Sequence, residues 1–158
     1  MFRKMVRFKQ QLPDTECIDI LTKQLRGVLS VLGDDGYPYG LPINHYYCPE
    51  DGKLYFHSGK TGHKIDALRA CEKASFCVMD EGRRLDGEWW LTFRSVAVFG
   101  RVTFEEDRAE ALEITRKLSL LFTEDEDYIR REIEGSGSAV LVFSLTPEHI
   151  TGKRVQER

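Results

Sequence analysis

Long apolar segments are missing from this sequence. No uninterrupted apolar run reaches the ~18 residues that a membrane-spanning helix requires, and the N-terminus carries no apolar core of a secretion signal. We therefore expect a cytoplasmic protein with no membrane partner. A large positive charge is missing as well, because the formal net charge is −3. This balance argues against non-specific binding of nucleic acid.

Closely spaced cysteines are also absent. None of the four thiols belongs to a C-x-x-C pair of the kind that metal and redox sites use, so we expect buried, reduced cysteines. The four are Cys17, Cys48, Cys71 and Cys77. His57 and His63 are candidate zinc ligands by residue type, but no third ligand lies close to them in sequence. We predict no metal site.

Positive charge is concentrated at one place, the N-terminus. Arg3, Lys4, Arg7 and Lys9 lie within the first nine residues. Such a segment is interpreted either as a local anion site or as a solvated basic arm, and the sequence favours neither reading.

The 158 residues contain no repeat and no low-complexity linker, which predicts a single domain over residues 1–158. Apolar spacing predicts four helices, over residues 14–25 with Asp14 as the N-cap, 63–71, 107–122 and 125–134. Alternation and turn signals predict six strands, over residues 28–32, 37–47, 53–57, 74–79, 89–104 and 139–145.

Short turns join neighbouring strands, which favours a mainly antiparallel α+β fold with flanking helices. Six strands without obvious edge protection tend to close into a barrel. Pro38 and Pro42 interrupt the second strand. Because proline cannot donate to a strand ladder, we expect this segment at an edge, at a bulge, or with its backbone facing a ligand.

The most informative segment runs from His57 through Ser58 and a small-residue loop to His63 and Lys64. A strand leads into the loop and the loop into a helix, whose free N–H groups and partial positive charge favour a phosphate. The Gly-Lys-Ser/Thr ending of a P-loop is absent, so a monophosphate is preferred to a nucleoside triphosphate. The alternative is an ordinary strand-to-helix turn with a basic surface.

Two further segments carry weaker signals. Pro42, Ile43 and Asn44 could expose backbone groups and an amide to a planar ligand, although a bulged edge strand explains them equally well. Arg94 and Ser95 begin an apolar strand, and the alternative there is a solvated arginine at a strand end.

Short motifs also occur along the chain in a definite order. They are Gly27-Val28-Leu29-Ser30, Asp35-Gly36-Tyr37-Pro38-Tyr39, Pro42-Ile43-Asn44, Leu54-Tyr55-Phe56-His57-Ser58, Gly62-His63-Lys64 and Ser95-Val96, after an opening Met1-Phe2-Arg3-Lys4-Met5 and Gln11-Leu12-Pro13. This ordered set resembles the pyridoxamine 5'-phosphate oxidase-like FMN-binding proteins, and within them the nitroimidazole-resistance subfamily.

The resemblance implies a six-stranded antiparallel split β-barrel that forms a homodimer with two FMN sites in the subunit interface. It places Ser58 and Lys64 at the phosphate, with His57 beside them and His63 where the oxidases have an arginine. Pro42, Ile43 and Asn44 would lie along the isoalloxazine edge. Arg94 and Ser95 would form a polar pair that reaches the flavin, with Ser95 where the oxidases have a glutamine.

For function, the resemblance implies an FMN-dependent oxidoreductase that reduces a small planar electrophile such as a nitroimidazole. The Arg-x-His element of the true oxidases has no match, so oxidation of pyridoxamine phosphate is disfavoured. The alternatives are a non-catalytic protein that holds FMN or haem, and a deazaflavin enzyme on the same barrel. His45 is the candidate proton donor, and its alternative is a surface histidine on a strand.

The sequence itself also favours a dimer. Trp89 and Trp90 are adjacent and, on a strand, would face opposite sides, so one could fill the core and the other a partner surface.

Overall fold

We describe the protein from a computed structural model, which describes residues 1–157 of the 158. Four helices are present: α1 Asp14–Lys23, α2 His63–Ala70, α3 Arg108–Leu120 and α4 Glu126–Ser136. The strands are β1 Arg26–Leu32, β2 Pro38–Asn44, β3 Tyr46–Tyr47, β4 Leu54–Gly59, β5 Lys73–Met79, β6 Thr92–Phe104 and β7 Val140–Gln156. Three 3-10 turns cover Phe8–Gln10, Asp34–Gly36 and Gly137–Ala139.

The strands form a sheet in the order β2-β1-β5-β6-β7-β4-β3, and each neighbouring pair is antiparallel. It curls into a half-barrel flanked by the helices, which confirms the predicted split-barrel type. The strands number seven rather than six, because the predicted strand 37–47 divides at His45 into β2 and β3. β2 lies at one end of the sheet, which is the first of the three placements that its prolines allowed.

Two other boundaries differ from the predictions. β6 begins at Thr92, so the tryptophan pair lies before the strand rather than within it. β7 continues to Gln156 and pairs with β6 from Thr92 to Phe104. Gly100 permits this close pairing, because a Cβ there would overlap the carbonyl oxygen of Thr146.

Two of the four helices, α3 and α4, begin with a side-chain cap. The carboxylate of Asp107 accepts the N–H groups of Ala109 and Glu110, and Asp125 caps α4 in the same way. The prediction that Asp14 is an N-cap was wrong, because Asp14 is the first helical residue and Pro13 precedes it without a side-chain bond. No described helix is long and apolar enough to cross a bilayer.

Aromatic and branched side chains fill the concave side of the sheet. Phe56 lies with its ring centroid 5.1 Å from those of both Phe76 and Phe143, and α1 inserts Ile20 and Leu21 into the same core. A second apolar cluster lies between α3 and the outer side of β4 and β7.

The predicted burial of the cysteines is partly correct. All four thiols are free; Cys17 and Cys48 are buried, whereas Cys77 is exposed. It lies on the convex face of β5, opposite Val28 of β1 and Ala97 of β6.

Candidate functional site

The turn between β4 and α2 is built to leave backbone donors free. Gly62 precedes the helix with a φ of +115°, a conformation that L side chains rarely adopt. The first helical hydrogen bond runs from the Ile65 N–H to the Gly62 carbonyl, 2.8 Å away. The N–H groups of His63 and Lys64 therefore lie ahead of the helical hydrogen-bond series, where an anion could accept them.

Lys64 places a positive charge beside these donors. Burial lowers its pKa, and no carboxylate pairs with its ammonium among residues 1–157. The side chain of His57, on β4, is near Lys64: partial loss of solvent and then the charge of Lys64 lower its pKa. Loss of solvent and the charge of Lys64 thus both disfavour protonation of His57, and an anion bound between the two side chains would favour their charged forms.

His63 contacts one residue of β2 and one of the β1–β2 connection. Its ring stacks on Tyr39 of β2, with centroids 4.3 Å apart and planes 8° apart. Its Nε2 lies 3.6 Å from a carboxylate oxygen of Asp34. Tyr39 is thus part of this site, which its position in the Asp35-Gly36-Tyr37-Pro38-Tyr39 motif did not predict. Ser58 is half-buried at the end of β4 and makes no side-chain hydrogen bond within the described chain.

β2 leads from this basic region along the edge of the sheet. Tyr39, Leu41 and Ile43 pack towards the core, whereas Pro42 is exposed on the other face. Asn44 ends the strand and accepts a 2.8 Å hydrogen bond from the Arg26 guanidinium. At the usual strand rise, Tyr39 and Asn44 lie about 16 Å apart, which is comparable to the length of an extended flavin mononucleotide.

Within one chain, Arg94 and Ser95 lie away from the Lys64 turn and from β2. β6 is separated from β2 by β5 and β1, and the two residues face opposite sides of their strand. Arg94 points to the concave side, where its guanidinium donates to Asp80 at 2.8 Å and Glu16 at 3.2 Å. The interpretation of Arg94 as a solvated strand end was therefore wrong. Ser95 lies on the convex face.

His45 is neither a surface histidine nor an exposed proton donor. It is 1 % exposed at the corner between β2 and β3. Its Nε2 lies 2.8 Å from the Leu21 carbonyl oxygen, and its Nδ1 is buried without a partner. Burial lowers its pKa to about 4, against the opposing effect of the bond to Leu21. His45 therefore fastens α1 to the sheet as a neutral ring, out of reach of a substrate.

The described residues contain no group of three or more histidine, cysteine or acidic side chains arranged to hold a metal ion. The candidate site thus consists of the Ser58–Lys64 turn and the adjoining edge of β2. Its donors suit a monoanionic or dianionic group at one end and a flat ligand along the strand.

Comparison with known protein families gives one match. The sequence model described as pyridoxamine 5'-phosphate oxidase matches residues 13–154. No curated protein sequence matches the chain.

Solved structures share the fold. A protein of Bacteroides thetaiotaomicron described as a 5-nitroimidazole antibiotic resistance protein is 21 % identical, with a TM-score of 0.77 over 92 % of this chain and 87 % of that one. An FAD-binding protein of Mesorhizobium loti is 24 % identical, with a TM-score of 0.67 over 92 % and 97 %. An FAD- and haem-binding protein of Mycobacterium smegmatis is 19 % identical, with a TM-score of 0.65 over 94 % and 74 %. At these identities the likeness shows the fold alone.

Proposed function

The chain belongs to the pyridoxamine 5'-phosphate oxidase family, and from this premise we propose that it is an FMN-binding flavoprotein. The observation that carries the proposal is the half-buried ammonium of Lys64, which lacks a carboxylate partner among residues 1–157 and lies beside His57 and the free N–H groups that begin α2. The flavin-binding proteins that share the fold support the same cofactor class.

FMN suits this turn better than FAD. FMN ends in a phosphate monoester, and its terminal oxygens would be met by Lys64, by the hydroxyl of Ser58 and by the backbone N–H groups. His63 would add a further donor, although it would have to share its ring with Asp34 at 3.6 Å. FAD carries a second phosphate and an adenosine beyond this point, and the Lys64 ammonium would then neutralise a bridging group instead of a terminal one.

The ring system would lie along β2. The exposed face of Pro42 leaves room for a flat ligand, and Asn44, held by Arg26, offers an amide at the far end of the strand. Ile43 packs into the core, so its contribution would come from its backbone. His57 would contribute beside the phosphate end as a largely neutral donor, since its pKa is lowered.

A second copy of the chain would complete the site. The convex face of the sheet carries exposed apolar side chains on adjacent strands, namely Val28, Leu32, Met79 and Phe99. Such a patch on a sheet face is typical of a protein–protein interface. In a homodimer, Ser95 of one protomer could approach the flavin held by its partner, which a single chain does not allow. The exposed Trp89, 73 % accessible, is a further candidate contact.

The reaction that fits this site is reduction of a small planar electrophile such as a nitroimidazole. Bound FMN supplies hydride or electron transfer. The residues of this chain would hold the phosphate at the Lys64 turn and would orient the ring along β2. Because His45 is buried and neutral, a proton needed by the product would come from solvent.

The experiment combines spectroscopy with an anaerobic transient measurement. The purified protein should show an oxidised flavin spectrum, and the released cofactor should be FMN. Chemically reduced holoprotein is then mixed with a nitroimidazole under stopped flow. Reoxidation faster than that of free reduced FMN supports the reductase. If the holoprotein is reoxidised no faster than free reduced FMN, the reductase proposal fails and the protein holds FMN without turnover.

Non-catalytic cofactor holding is the second candidate, and likeness to an FAD- and haem-binding protein favours including haem in it. A haem spectrum in the purified protein in place of a flavin spectrum would decide for that alternative and against FMN.

Subunit complementation tests whether the two halves of the site come from different chains. Lys64→Ala and Ser95→Arg, coexpressed, would give mixed dimers with one intact and one doubly altered site. With random pairing, about a quarter of all sites would then bind FMN. If both residues act within one chain, no site is restored.

A further inference from the structure

A surface cavity at the end of β6 and β7 lies apart from the Lys64 turn within one protomer. Its volume is about 390 Å³, within the range of small-molecule sites. Three arginines line it, Arg83, Arg94 and Arg154, together with Asp80 and Thr92. From this cluster we propose that the cavity binds a small anion through a carboxylate or phosphate group.

Hydrogen bonds to carboxylates orient two of the arginines. Arg94 donates through Nε to Asp80 at 2.8 Å and through a terminal nitrogen to Glu16 at 3.2 Å. Arg154 donates to the same Glu16 at 3.1 Å. A guanidinium has five N–H donors, so each of these arginines keeps several donors that the carboxylates do not use. The plane of Arg94 is fixed through two nitrogens before any ligand arrives, and Arg154 is tethered through one, which lowers the entropic cost of binding.

Asp80 is well suited to this fixing role. Burial opposes its ionisation, but hydrogen bonds from the backbone N–H and the guanidinium of Arg94 outweigh that effect, so its pKa is lowered. It also accepts the Gly82 N–H at 3.2 Å, which closes the turn leading to Arg83. The carboxylate therefore stays charged and saturated with donors, and does not compete for a ligand.

Arg83 supplies the positive charge that remains. Asp80 and Glu16 offset the charges of Arg94 and Arg154, whereas Arg83 has no ion pair among residues 1–157. Its backbone is nonetheless anchored, because its N–H and carbonyl both bond to Thr92, at 2.8 and 2.9 Å. An oxyanion in the cavity would meet one free guanidinium and two oriented ones, the geometry that recognises carboxylates and phosphates through paired N–H bonds.

The test uses flavin-saturated protein, so that the Lys64 turn is occupied, with inorganic phosphate and succinate as probes. Binding is measured by isothermal titration calorimetry at constant ionic strength, with sodium chloride as the reference salt. We expect at least one probe to bind with one site per chain. Arg83→Gln should weaken it about ten-fold or more, and Arg154→Gln should do likewise. Arg130→Gln, which removes an exposed arginine paired with Asp127 on α4, should leave it unchanged.

The outcomes separate this cavity from the proposed flavin site. In Lys64→Ala, probe binding should persist even where FMN binding is weakened. Binding that is lost in Lys64→Ala but retained in Arg83→Gln would overturn the proposal and place the anion at the Lys64 turn. Absence of binding of both probes to the flavin-saturated protein, or equal binding in all three arginine variants, would also overturn it.

Discussion

His45 should make the stability of the protein depend on pH in a way that one substitution can isolate. Its ordinary pKa of 6.5 falls to about 4 in the folded chain, so between these values the unfolded state binds a proton that the folded state does not. The stabilising effect of burying the neutral ring is therefore complete above pH 6.5 and is lost as the pH falls towards 4. From pH 7.5 to pH 5 the loss amounts to about 2 kcal/mol, and the full shift corresponds to about 3 kcal/mol.

The assay is urea unfolding of flavin-free protein at one protein concentration, repeated at intervals from pH 7.5 to pH 5. This window lies above the range in which Asp51, Asp80 and Glu113, whose pKa values are lowered, would become protonated. His45→Gln keeps a donor for the Leu21 carbonyl but cannot titrate. We expect its free energy of unfolding to fall by about 2 kcal/mol less than that of the wild type over this window.

The contribution of His57, whose pKa is also lowered, is present in both proteins and cancels in the difference. His63→Gln, the same imidazole-to-amide change at an exposed position, is the matched control. Parallel curves for the wild type and His45→Gln would refute the reasoning, because they would mean that His45 is as easily protonated in the folded chain as in the unfolded one.

Further predictions concern the Lys64 turn and the assembly. Lys64→Ala should raise the FMN dissociation constant about 10- to 100-fold in a fluorescence titration, whereas Lys60→Ala, at an exposed position of the same loop, should change it little; equal effects would contradict the assignment. Gly62→Ala should destabilise the fold by about 1–3 kcal/mol, measured by urea unfolding, because its φ of +115° strains any side chain. Tyr39→Leu should weaken FMN less than Lys64→Ala does, since Tyr39 acts on the site only through the stacked His63 and a leucine keeps an apolar side chain against the core. Light scattering at micromolar concentration should give twice the chain mass of 18.3 kDa, and a monomer mass would refute the dimer.

Local signals in the sequence were sufficient for most of the fold. Proline positions allowed an edge, a bulge or a ligand-facing backbone for β2, and the edge is the one of these that the sheet order shows. The loop after Ser58 correctly placed the start of α2 at His63. The division at His45 was missed, because no turn residue marks it. The break depends instead on a tertiary contact: the His45 N–H bonds to the Leu25 carbonyl at 3.2 Å and its ring to the Leu21 carbonyl. Such a contact between residues about twenty positions apart leaves no periodic trace in the sequence.

The candidate site was predictable only where neighbouring residues in the chain act together. Ser58, His63 and Lys64 lie on one turn, so their proximity follows from the sequence. Arg94 and Ser95 are just as close in the chain, yet the pleat of β6 sends them to opposite faces. Which of the two faces the core depends on the register against β5 and β7, and the salt bridge of Arg94 to Glu16 joins residues far apart in the chain.

Because Arg94 and Ser95 face opposite sides of β6, the Lys64 turn and the arginine cavity are expected to bind different anions. A single β-strand cannot direct both Arg94 and Ser95 to the same ligand, so a flavin on the convex face can meet Ser95 only, and Arg94 must act on the concave side. There its charge is already offset by Asp80 and Glu16, which makes it an orienting donor in place of a free cation. Lys64, by contrast, has no carboxylate partner among residues 1–157 and is partly desolvated. An unpaired and desolvated cation gains more from a bound phosphate than a paired one does. This difference is why we propose the Lys64 turn for the cofactor phosphate and the arginine cavity, where Arg83 alone retains an uncompensated charge, for the second anion.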